Sequence, residues 1–464
     1  MRNKKQKELW LVVIMVLLIL PALRTNSYKG ETANEDSNQI ISIREDSFIN
    51  HIPIRIAGEE EFLKFIQSEG IKGTGVLEDP YRIENFVFDH ENATQVIIKD
   101  VHIPFAFQKN IIKNGTVQGV YLENVTNVLV QDNVFTEVAG DVLAVHKSTN
   151  VKIINNQFID TLQNANDFAN IAIWVTQSSF VNVSHNNLDG VPRGAWLWGS
   201  DHSLLFNNTV RNTYAVATGL GIATSLGIGF SVNSTIANNT VHGSTTHVGI
   251  WLWSINDTNS NNLVEFNTVE ETAMAVRLDA SSNNIIRHNL LKESKEAVVI
   301  SSSTGNEFNF NHFINSSDHD VRLGSNTNRF AFNIFESSDE VKKPVFTLLS
   351  SPNVTFEYNY YSAWSSPDGD VNGIVDNAFY LSDSTSLVDL YPLAVLPDVF
   401  IEDYLPNYPT ETLSTGSDDT SYSTSTTNKD DGISAMAGID IFPFLLVLLA
   451  VSYIIKRPVR RPKR

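Results

Sequence analysis

The sequence contains no cysteine and little methionine. Of its 464 residues none is cysteine and four are methionine. Disulfides, iron–sulfur clusters, cysteine-based zinc sites and cysteine nucleophiles are therefore excluded, and copper sites that depend on soft sulfur ligands are not supported. An exported chain without disulfides must be stabilised by burial and backbone pairing, which predicts a large fold and not a small cross-linked domain.

Basic residues are scarce over most of the chain. Residues 11–455 carry 23 basic and 51 acidic side chains, a net charge of −28, because ten of the 33 basic residues lie in the first ten or last nine positions. A body this acidic repels phosphate backbones, so nucleic acid is not expected as a partner.

Familiar catalytic motifs are missing as well. The eleven histidines form neither an H-x-H nor an H-E-x-x-H pattern. P-loop, Rossmann and serine-hydrolase motifs are absent, since the glycine-containing stretch "SLGIG" at 225–229 alternates like a strand and opens no helix.

Long apolar runs occur near the two ends of the chain. Residues 1–25 combine a basic start with an apolar stretch and predict a signal peptide or N-terminal anchor, followed by a linker at 26–52. The apolar stretch 439–455 before the basic tail 456–464 predicts a transmembrane helix with a cytoplasmic C-terminus. Residues 399–438 are rich in Ser, Thr and Asp and predict a solvated stalk. We therefore expect a single-pass cell-membrane protein whose ectodomain is extracellular, in agreement with ten N-x-S/T glycosylation sequons.

An asparagine-centred repeat fills the region between these ends. The last three intervals of the series are each 22 residues, and every unit contains short apolar alternations; the repeated asparagines are Asn133, Asn156, Asn186, Asn208, Asn239, Asn267, Asn289, Asn311 and Asn333. Asparagine tolerates the left-handed backbone of a tight corner, and stacked asparagines can bond from coil to coil. The pattern predicts an all-β fold, a single-stranded right-handed parallel β-helix of ten or more coils over residues 53–398. A leucine-rich repeat would need leucines at fixed positions, and a β-propeller would need longer units.

Both ends of this region resemble a known family. "PIRIAGEEEFLKFIQSEGIKGTGVLEDPYRIENFVFD" (53–89) is similar to the opening segment of the NosD-like, or PbH1-repeat, right-handed β-helix proteins of archaeal-type cell surfaces. "YNYYSAWSSPDGDVNGIVDNAFYLSDSTSLVDLYPL" (358–393) resembles their closing segment. The resemblance implies that this chain has the same β-helix fold. The family's association with copper-site maturation is not carried over, because this sequence lacks soft sulfur ligands.

Tryptophans are concentrated in the middle coils: five of the seven lie between positions 174 and 253. The repeat places pairs such as Val276 and Leu278 inward, so the residues between such pairs point outward. The predicted binding face consists of Trp174, Trp196, Trp198, Gly227, Gly229, Trp251, Trp253 and Arg277. The two Trp-Leu-Trp strands should lie about 9.6 Å apart, two strand spacings, across an open floor at the glycine strand. Alternatively, insertions at 160–170 and 211–221 cover this face.

Three functions are compatible with such a face. The first is binding of an extracellular glycan or surface protein without catalysis. The second is a polysaccharide lyase, epimerase or hydrolase in the same cleft, for which His146, Arg277, Asp279 and Arg322 are outward candidates, although solvated surface charges are the simpler interpretation. The third is a passive envelope or adhesion scaffold, because this architecture hosts enzymes and non-enzymes alike.

A calcium-type turn lies in the closing segment. Asp368, Asp370 and Asn372 alternate before a glycine, and Asp376 follows. Oxygen ligands in this arrangement suit a structural Ca²⁺, although the acidic residue that completes an EF-hand loop is absent. A metal-free turn rich in Asp and Asn is the alternative. No other cofactor is expected.

Overall fold

The computed structural model describes residues 48–397, except 92, 163–169, 215–223, 256–258, 338–342, 348, 350–352, 365 and 383–386. The chain separates into two compact units, 1–402 and 403–464, and every described residue belongs to the first. Within the described ranges no helix has the length and apolarity needed to cross a bilayer. The predicted signal or anchor, stalk, transmembrane helix and basic tail lie outside these ranges.

The described chain winds into a β-solenoid with three sheets, which we number one to three. Their strands pair in parallel, except that Phe379–Tyr380 is antiparallel to Val388–Asp389. Sheet one contains Ile54–Ala57, Val96–Val101, Asp141–His146, Ile171–Thr176, Arg193–Trp198, Thr224–Gly229, Val248–Trp253, Met274–Asp279, Glu296–Ser301, His319–Gly324 and Val345–Thr347. Sheet two contains Tyr81–Glu84, Phe105–Gln108, Thr149–Ile154, Asn182–Ser184, Leu204–Phe206, Thr235–Ala237, Leu263–Glu265, Ile285–Arg287, Glu307–Asn309, Arg329–Ala331, Thr355–Glu357, Phe379–Tyr380 and Val388–Asp389. The long strand Gln118–Gln131 runs through both.

Sheet three has thirteen strands, one from each successive coil. They are Ile49–Asn50, Phe86–Asp89, Ile111–Lys113, Val134–Thr136, Gln157–Ile159, Asn187–Asp189, Thr209–Arg211, Thr240–His242, Thr268–Glu270, Leu290–Lys292, His312–Ile314, Ile334–Glu336 and Tyr360–Tyr361. A two-stranded pair, Asn259–Ser260 with Ser281–Ser282, lies at a corner. The predicted all-β solenoid is therefore confirmed.

The repeated asparagines form a buried ladder between sheets two and three. The Asn289 amide oxygen accepts hydrogen bonds from the backbone N–H and the side-chain amide of Asn267, at 3.0 and 2.9 Å. Its own amide donates to the Val264 and Arg287 carbonyls and to the Asn311 side chain. Each rung thus satisfies backbone groups that the corner would otherwise leave unpaired.

The residue before each ladder asparagine turns the corner in the left-handed backbone region. His288 and Phe310 have φ values of 52° and 56°. Their rings stack face to face at 5.2 Å, and Phe266 stacks on the other side of His288 at 5.0 Å. Aromatic rings at these corners form a partly exposed column along the solenoid.

Both ends of the core are closed. The single described α-helix, Glu59–Ser68, buries Phe62 and Ile66 over the first coils. At the other end Asp389 takes the place of the next asparagine and accepts from the backbone and side-chain amides of Asn359. Burial raises the pKa of Asp389, and the hydrogen bonds from Asn359, Tyr391 and Tyr361 oppose that shift.

Candidate functional site: the outer face of sheet one

The strand register of the central coils agrees with the prediction. Trp196 is paired with Trp174 on one side and Gly227 on the other, and Trp251 follows Gly227. The alternating residues, such as Leu197 and Leu252, are completely buried in the core. The tryptophans therefore project from the outer surface of the solenoid, as the repeat predicted.

These tryptophans are only partly accessible. Trp196 is 6% exposed, whereas the other four are half-buried and none reaches the fully exposed range. The insertions predicted at 160–170 and 211–221 lie largely outside the described residues. The face is thus neither an open cleft nor a closed core.

The open glycine floor predicted between the tryptophan strands is wrong. A β-carbon at Gly227 would lie 2.6 Å from two atoms of the Trp196 indole, and one at Gly229 would lie 2.9 Å from Trp198. The indoles lean across the glycine strand because it has no side chains to oppose them. Gly227 and Gly229 are buried beneath these rings and support the aromatic surface.

The leaning rings close the gap and form a continuous surface. Trp196 meets Trp251 edge-on with ring centroids 5.7 Å apart, and Trp198 meets Trp253 at 4.9 Å. Phe230 packs against both Trp198 and Trp253, at 4.8 and 5.1 Å. We call the set Trp174, Trp196, Trp198, Phe230, Trp251 and Trp253 the tryptophan patch.

Phe230 was missed at the sequence level. It directly follows the glycine strand and turns the corner with a φ of 52°. The inward–outward alternation assigns positions within strands and gives no direction to a corner residue. The one available signal was an aromatic residue immediately after the glycine strand.

The patch ends on one side at an arginine–aspartate pair. The Arg277 guanidinium lies over the Trp251 ring, 5.1 Å from its centroid, which is a cation–π arrangement. Asp279 accepts hydrogen bonds from Arg277 Nε at 2.5 Å and from Trp251 Nε1 at 2.7 Å. This pair therefore fixes the orientation of the Trp251 ring.

A polar cluster borders the opposite side. Lys99 Nζ lies 2.8 Å from a Glu123 carboxylate oxygen and 5.0 Å from the Tyr121 ring centroid. Burial, together with the Glu123 charge, raises the pKa of Tyr121 to about 12. On the next coil His146 Nδ1 lies 2.6 Å from Thr176 Oγ1. Burial lowers the pKa of His146, so this imidazole is neutral near pH 7.

Two indole N–H groups of the patch lack a partner. Within the described part of the chain, neither Trp174 Nε1 nor Trp196 Nε1 makes a hydrogen bond, although both atoms are buried. Buried donors are normally satisfied, so unpaired ones in a native site require an explanation. An acceptor outside the described protein groups, such as water or a ligand hydroxyl, would supply the missing bond.

The outward residues considered for catalysis are all engaged by neighbours. His146 is bonded to Thr176, Arg277 to Asp279, and Arg322 Nη2 lies 3.0 Å from Glu296. Burial raises the pKa of Glu296, which the charge of Arg322 opposes. These pairs stabilise the face.

The predicted calcium turn is compact. Oxygen atoms of Asp368, Asp370 and Asp376 lie within 4.8 Å of one another. The turn also satisfies itself, since Asp368 accepts from the Gly373 N–H and Asp376 from the Gly369 N–H, both at 2.9 Å. The Asn372 amide oxygen accepts from the Ile374 N–H. Calcium binding here stays a prediction, because the same geometry serves a metal-free turn.

Two family models match the sequence. Residues 160–362 match the model described as a periplasmic copper-binding protein (NosD). Residues 68–215 match the model described as a right handed beta helix region. No curated protein sequence matches the chain.

The described residues do not fit a copper site. The carboxylates of the 368–376 turn are the group of potential metal ligands found within the described ranges, and they are hard oxygen donors. Protein copper sites are typically built from imidazole and sulfur ligands. We therefore derive no chemistry through copper for this chain.

Several solved structures are distantly similar. The A-module of the mannuronan C-5 epimerase AlgE4 from Azotobacter vinelandii is 12% identical with a TM-score of 0.37, covering 61% of this chain and 83% of that one. The periplasmic alginate epimerase AlgG is 11% identical with a TM-score of 0.37, covering 67% and 84%. DFA-IIIase from Arthrobacter chlorophenolicus A6, without its lid, is 13% identical with a TM-score of 0.39, covering 65% and 85%.

Similarities this distant support no statement about activity or substrate. The support for a family comes instead from the two sequence models and from the coiled parallel sheets with their asparagine ladder. Together these observations support a right-handed β-helix family for this chain.

Proposed function

We propose that this protein binds carbohydrate through the tryptophan patch and does not catalyse a reaction there. The observation that carries the proposal is the position of five tryptophans on the outer surface of one sheet, four of them half-exposed, with Phe230 packed beside them at the corner. A contiguous aromatic surface of this kind is costly to leave in water and normally signifies a binding site.

The chemistry of the patch suits sugars. Sugar rings offer apolar C–H faces that pack on aromatic rings, and hydroxyl groups that need hydrogen-bond partners at the edges. Indoles supply a large apolar surface together with an N–H donor. The Asp279 carboxylate and the Thr176 hydroxyl lie at the borders of the patch, so a few polar groups surround an apolar centre, as in typical ligand sites.

Localisation is part of the same proposal. We propose an extracellular β-helix held at the cell membrane by the C-terminal segment 439–455, with the predicted stalk as spacer. Its support is the apolar segment followed by the basic tail 456–464. Protease accessibility of the β-helix on intact cells, and release by cleavage in the stalk, would test the arrangement.

A paired substitution tests the binding proposal. Trp198→Ala with Trp253→Ala removes two half-exposed rings that contact each other, and we expect affinity in glycan-array and calorimetric measurements to fall at least tenfold. Phe346→Ala is the matched control, since Phe346 is a 40% exposed aromatic residue of sheet one outside the patch. Glycan binding that survives the paired substitution unchanged would contradict the proposal.

A second measurement addresses catalysis. Incubation of the protein with neutral and uronate polysaccharides should yield no unsaturated uronate absorbing in the ultraviolet, no new reducing ends, and no change in uronate configuration by nuclear magnetic resonance. Turnover abolished by His146→Ala or Arg322→Ala would instead establish the lyase, epimerase or hydrolase alternative. A folded protein that binds no glycan and turns none over would favour a passive scaffold.

A further inference from the structure

We infer that the ligand of the tryptophan patch is a neutral oligosaccharide and not a uronate polymer. The inference depends on the proposed function and specifies its substrate class. It follows from the way each charged side chain on the outer face of sheet one is paired.

Four cations lie on the strands of sheet one between the Lys99 and Arg322 coils. Lys99 pairs with Glu123 at 2.8 Å and Arg277 with Asp279 at 2.5 Å. Arg322 pairs with Glu296 at 3.0 Å. The remaining one, Arg193, also has an interaction within the protein.

Each ion pair is partly withdrawn from water. The Glu296 side chain is 7% exposed and the Asp279 side chain 15% exposed. A carboxylate sugar could bind these arginines only by displacing an internal carboxylate already in contact, which would leave that buried acid without its partner. Such an exchange gives little net gain and carries a desolvation cost.

The histidine nearest the patch adds no positive charge. Burial lowers the pKa of His146, so it stays neutral at pH 7. Two exposed lysines, Lys147 and Lys295, lie at corners and not on the strands that carry the patch. In the described structure the outer face therefore offers aromatic surface and paired charges, but no unpaired strand cation to receive a carboxylate.

The net negative charge of the chain also disfavours binding of a uronate polymer. Residues 11–455 carry a net charge of −28, which repels a polyanion at a distance and slows its association. Neutral sugars experience no such repulsion. The groups that remain available, which are the half-exposed ring faces and the Thr176 hydroxyl, recognise C–H surfaces and hydroxyls.

The arrangement also sets an approximate ligand length. Trp174, Trp196, Gly227 and Trp251 occupy four successive strands, so the aromatic strip is roughly 14 Å long at the usual strand spacing. A strip of this length requires a short chain of sugar units and not a single monosaccharide.

Affinity measurements with matched ligands test the inference. We would titrate the full-length protein, in detergent, with neutral gluco- and manno-oligosaccharides and with oligo-uronates of equal length, at low and at high salt. Neutral chains should bind at least tenfold more tightly at low salt, with little salt dependence. Equal or tighter binding of uronates at the patch would overturn the neutral-ligand inference while leaving carbohydrate binding intact. Binding of neither class would overturn both.

Neutralising the carboxylates that pair with the two arginines provides an independent test. Asp279→Asn with Glu296→Gln keeps side-chain shape, frees Arg277 and Arg322, and should raise uronate affinity at least tenfold. Glu307→Gln, an exposed acid of sheet two, is the control for the change in overall charge and should have little effect. A properly folded double variant, checked by circular dichroism, that gains no uronate affinity would contradict the inference. Each single variant should give a smaller gain.

Discussion

At the scale of single residues, Gly227 allows the tryptophan patch to form, because the Trp196 ring occupies the space that a side chain at position 227 would fill. A β-carbon there would lie 2.6 Å from the Trp196 indole, closer than atoms can approach without a shift. We expect Gly227→Ala to push this ring outward, to shift tryptophan emission to the red, and to lower the free energy of unfolding by roughly 1–3 kcal/mol. Chemical unfolding and fluorescence spectra measure both effects.

The matched control tests Gly227→Ala in a protein that lacks the Trp196 ring. In a Trp196→Ala background the same Gly227→Ala substitution has no indole to displace, so its destabilisation should largely disappear. If the full cost persisted in that background, backbone strain at position 227 would be its source and the proposed support of Trp196 would be wrong.

His247 makes stability depend on pH. Its imidazole is 2% exposed, and Nδ1 lies near the Ser244 and Thr213 hydroxyls, at 3.0 and 3.2 Å. Burial lowers its pKa from 6.5 to about 4. The unfolded state therefore binds the proton first as pH falls, so stability present above pH 6.5 is lost progressively down to pH 4, by about 3 kcal/mol at most.

As the pH falls through the same range, the free energy of unfolding of the His247→Asn variant should decrease less than that of the wild-type protein. Unfolding midpoints at pH 7, 5.5 and 4 measure the difference. His242→Asn is the control, because His242 is partly exposed and lies 3.2 Å from Glu270 on the surface. Identical pH profiles for His247→Asn and the wild-type protein would show that another group causes the acid sensitivity.

At the scale of the repeated element, the asparagine ladder is a chain of mutually dependent hydrogen bonds. The Asn289 side chain makes five, two as acceptor from Asn267 and three as donor. Asn289→Ala leaves buried backbone groups on neighbouring coils unpaired, so we expect destabilisation on the order of 3 kcal/mol or more. Asn309→Ala, on the outside of sheet two, should change stability by about 0.5 kcal/mol or less.

Asn289→Asp separates shape from hydrogen bonding. The carboxylate fits the same space but cannot donate to the Val264 and Arg287 carbonyls, so it should destabilise at least as much as alanine near pH 7. Unfolding temperatures of Asn289→Ala, Asn289→Asp and Asn309→Ala under one set of conditions test this expected order of stability. A tolerated Asn289→Asp variant would mean that burial, and not the donor bonds, makes the ladder important.

The same element explains what the sequence could predict. The inward positions of Val276 and Leu278 follow from the 22-residue spacing of their coils combined with strand alternation, and both are completely buried. Contacts between coils depend on side-chain rotamers, which no period determines. The lean of Trp196 over Gly227, the place of Phe230 and the Lys99–Glu123 pair were therefore not predictable. Closure of the ladder by Asp389 was missed because the residue type and the spacing both change there.

At the scale of the whole molecule, a solenoid exposes core only at its ends. Each coil buries its apolar residues against two neighbours, so the first and last coils need caps. At the start this function falls to the helix Glu59–Ser68, whose Phe62 ring packs against Phe105 and Tyr81 with centroids 5.3 and 6.0 Å away. An uncapped first coil would present unpaired strand edges to other molecules.

Substitutions at two adjacent positions of this helix distinguish loss of the cap from a change in surface charge. Phe62 is completely buried and Leu63 is 44% exposed. We expect Phe62→Asp to lower the unfolding temperature and to produce soluble oligomers or aggregates, because a charged side chain cannot remain over the core. Leu63→Asp adds the same charge one residue away and should remain monodisperse with an unchanged unfolding temperature. Size-exclusion chromatography with light scattering compares the two. A monodisperse Phe62→Asp protein of wild-type stability would show that the coils close without this helix, and that the apolar end is protected by another part of the chain.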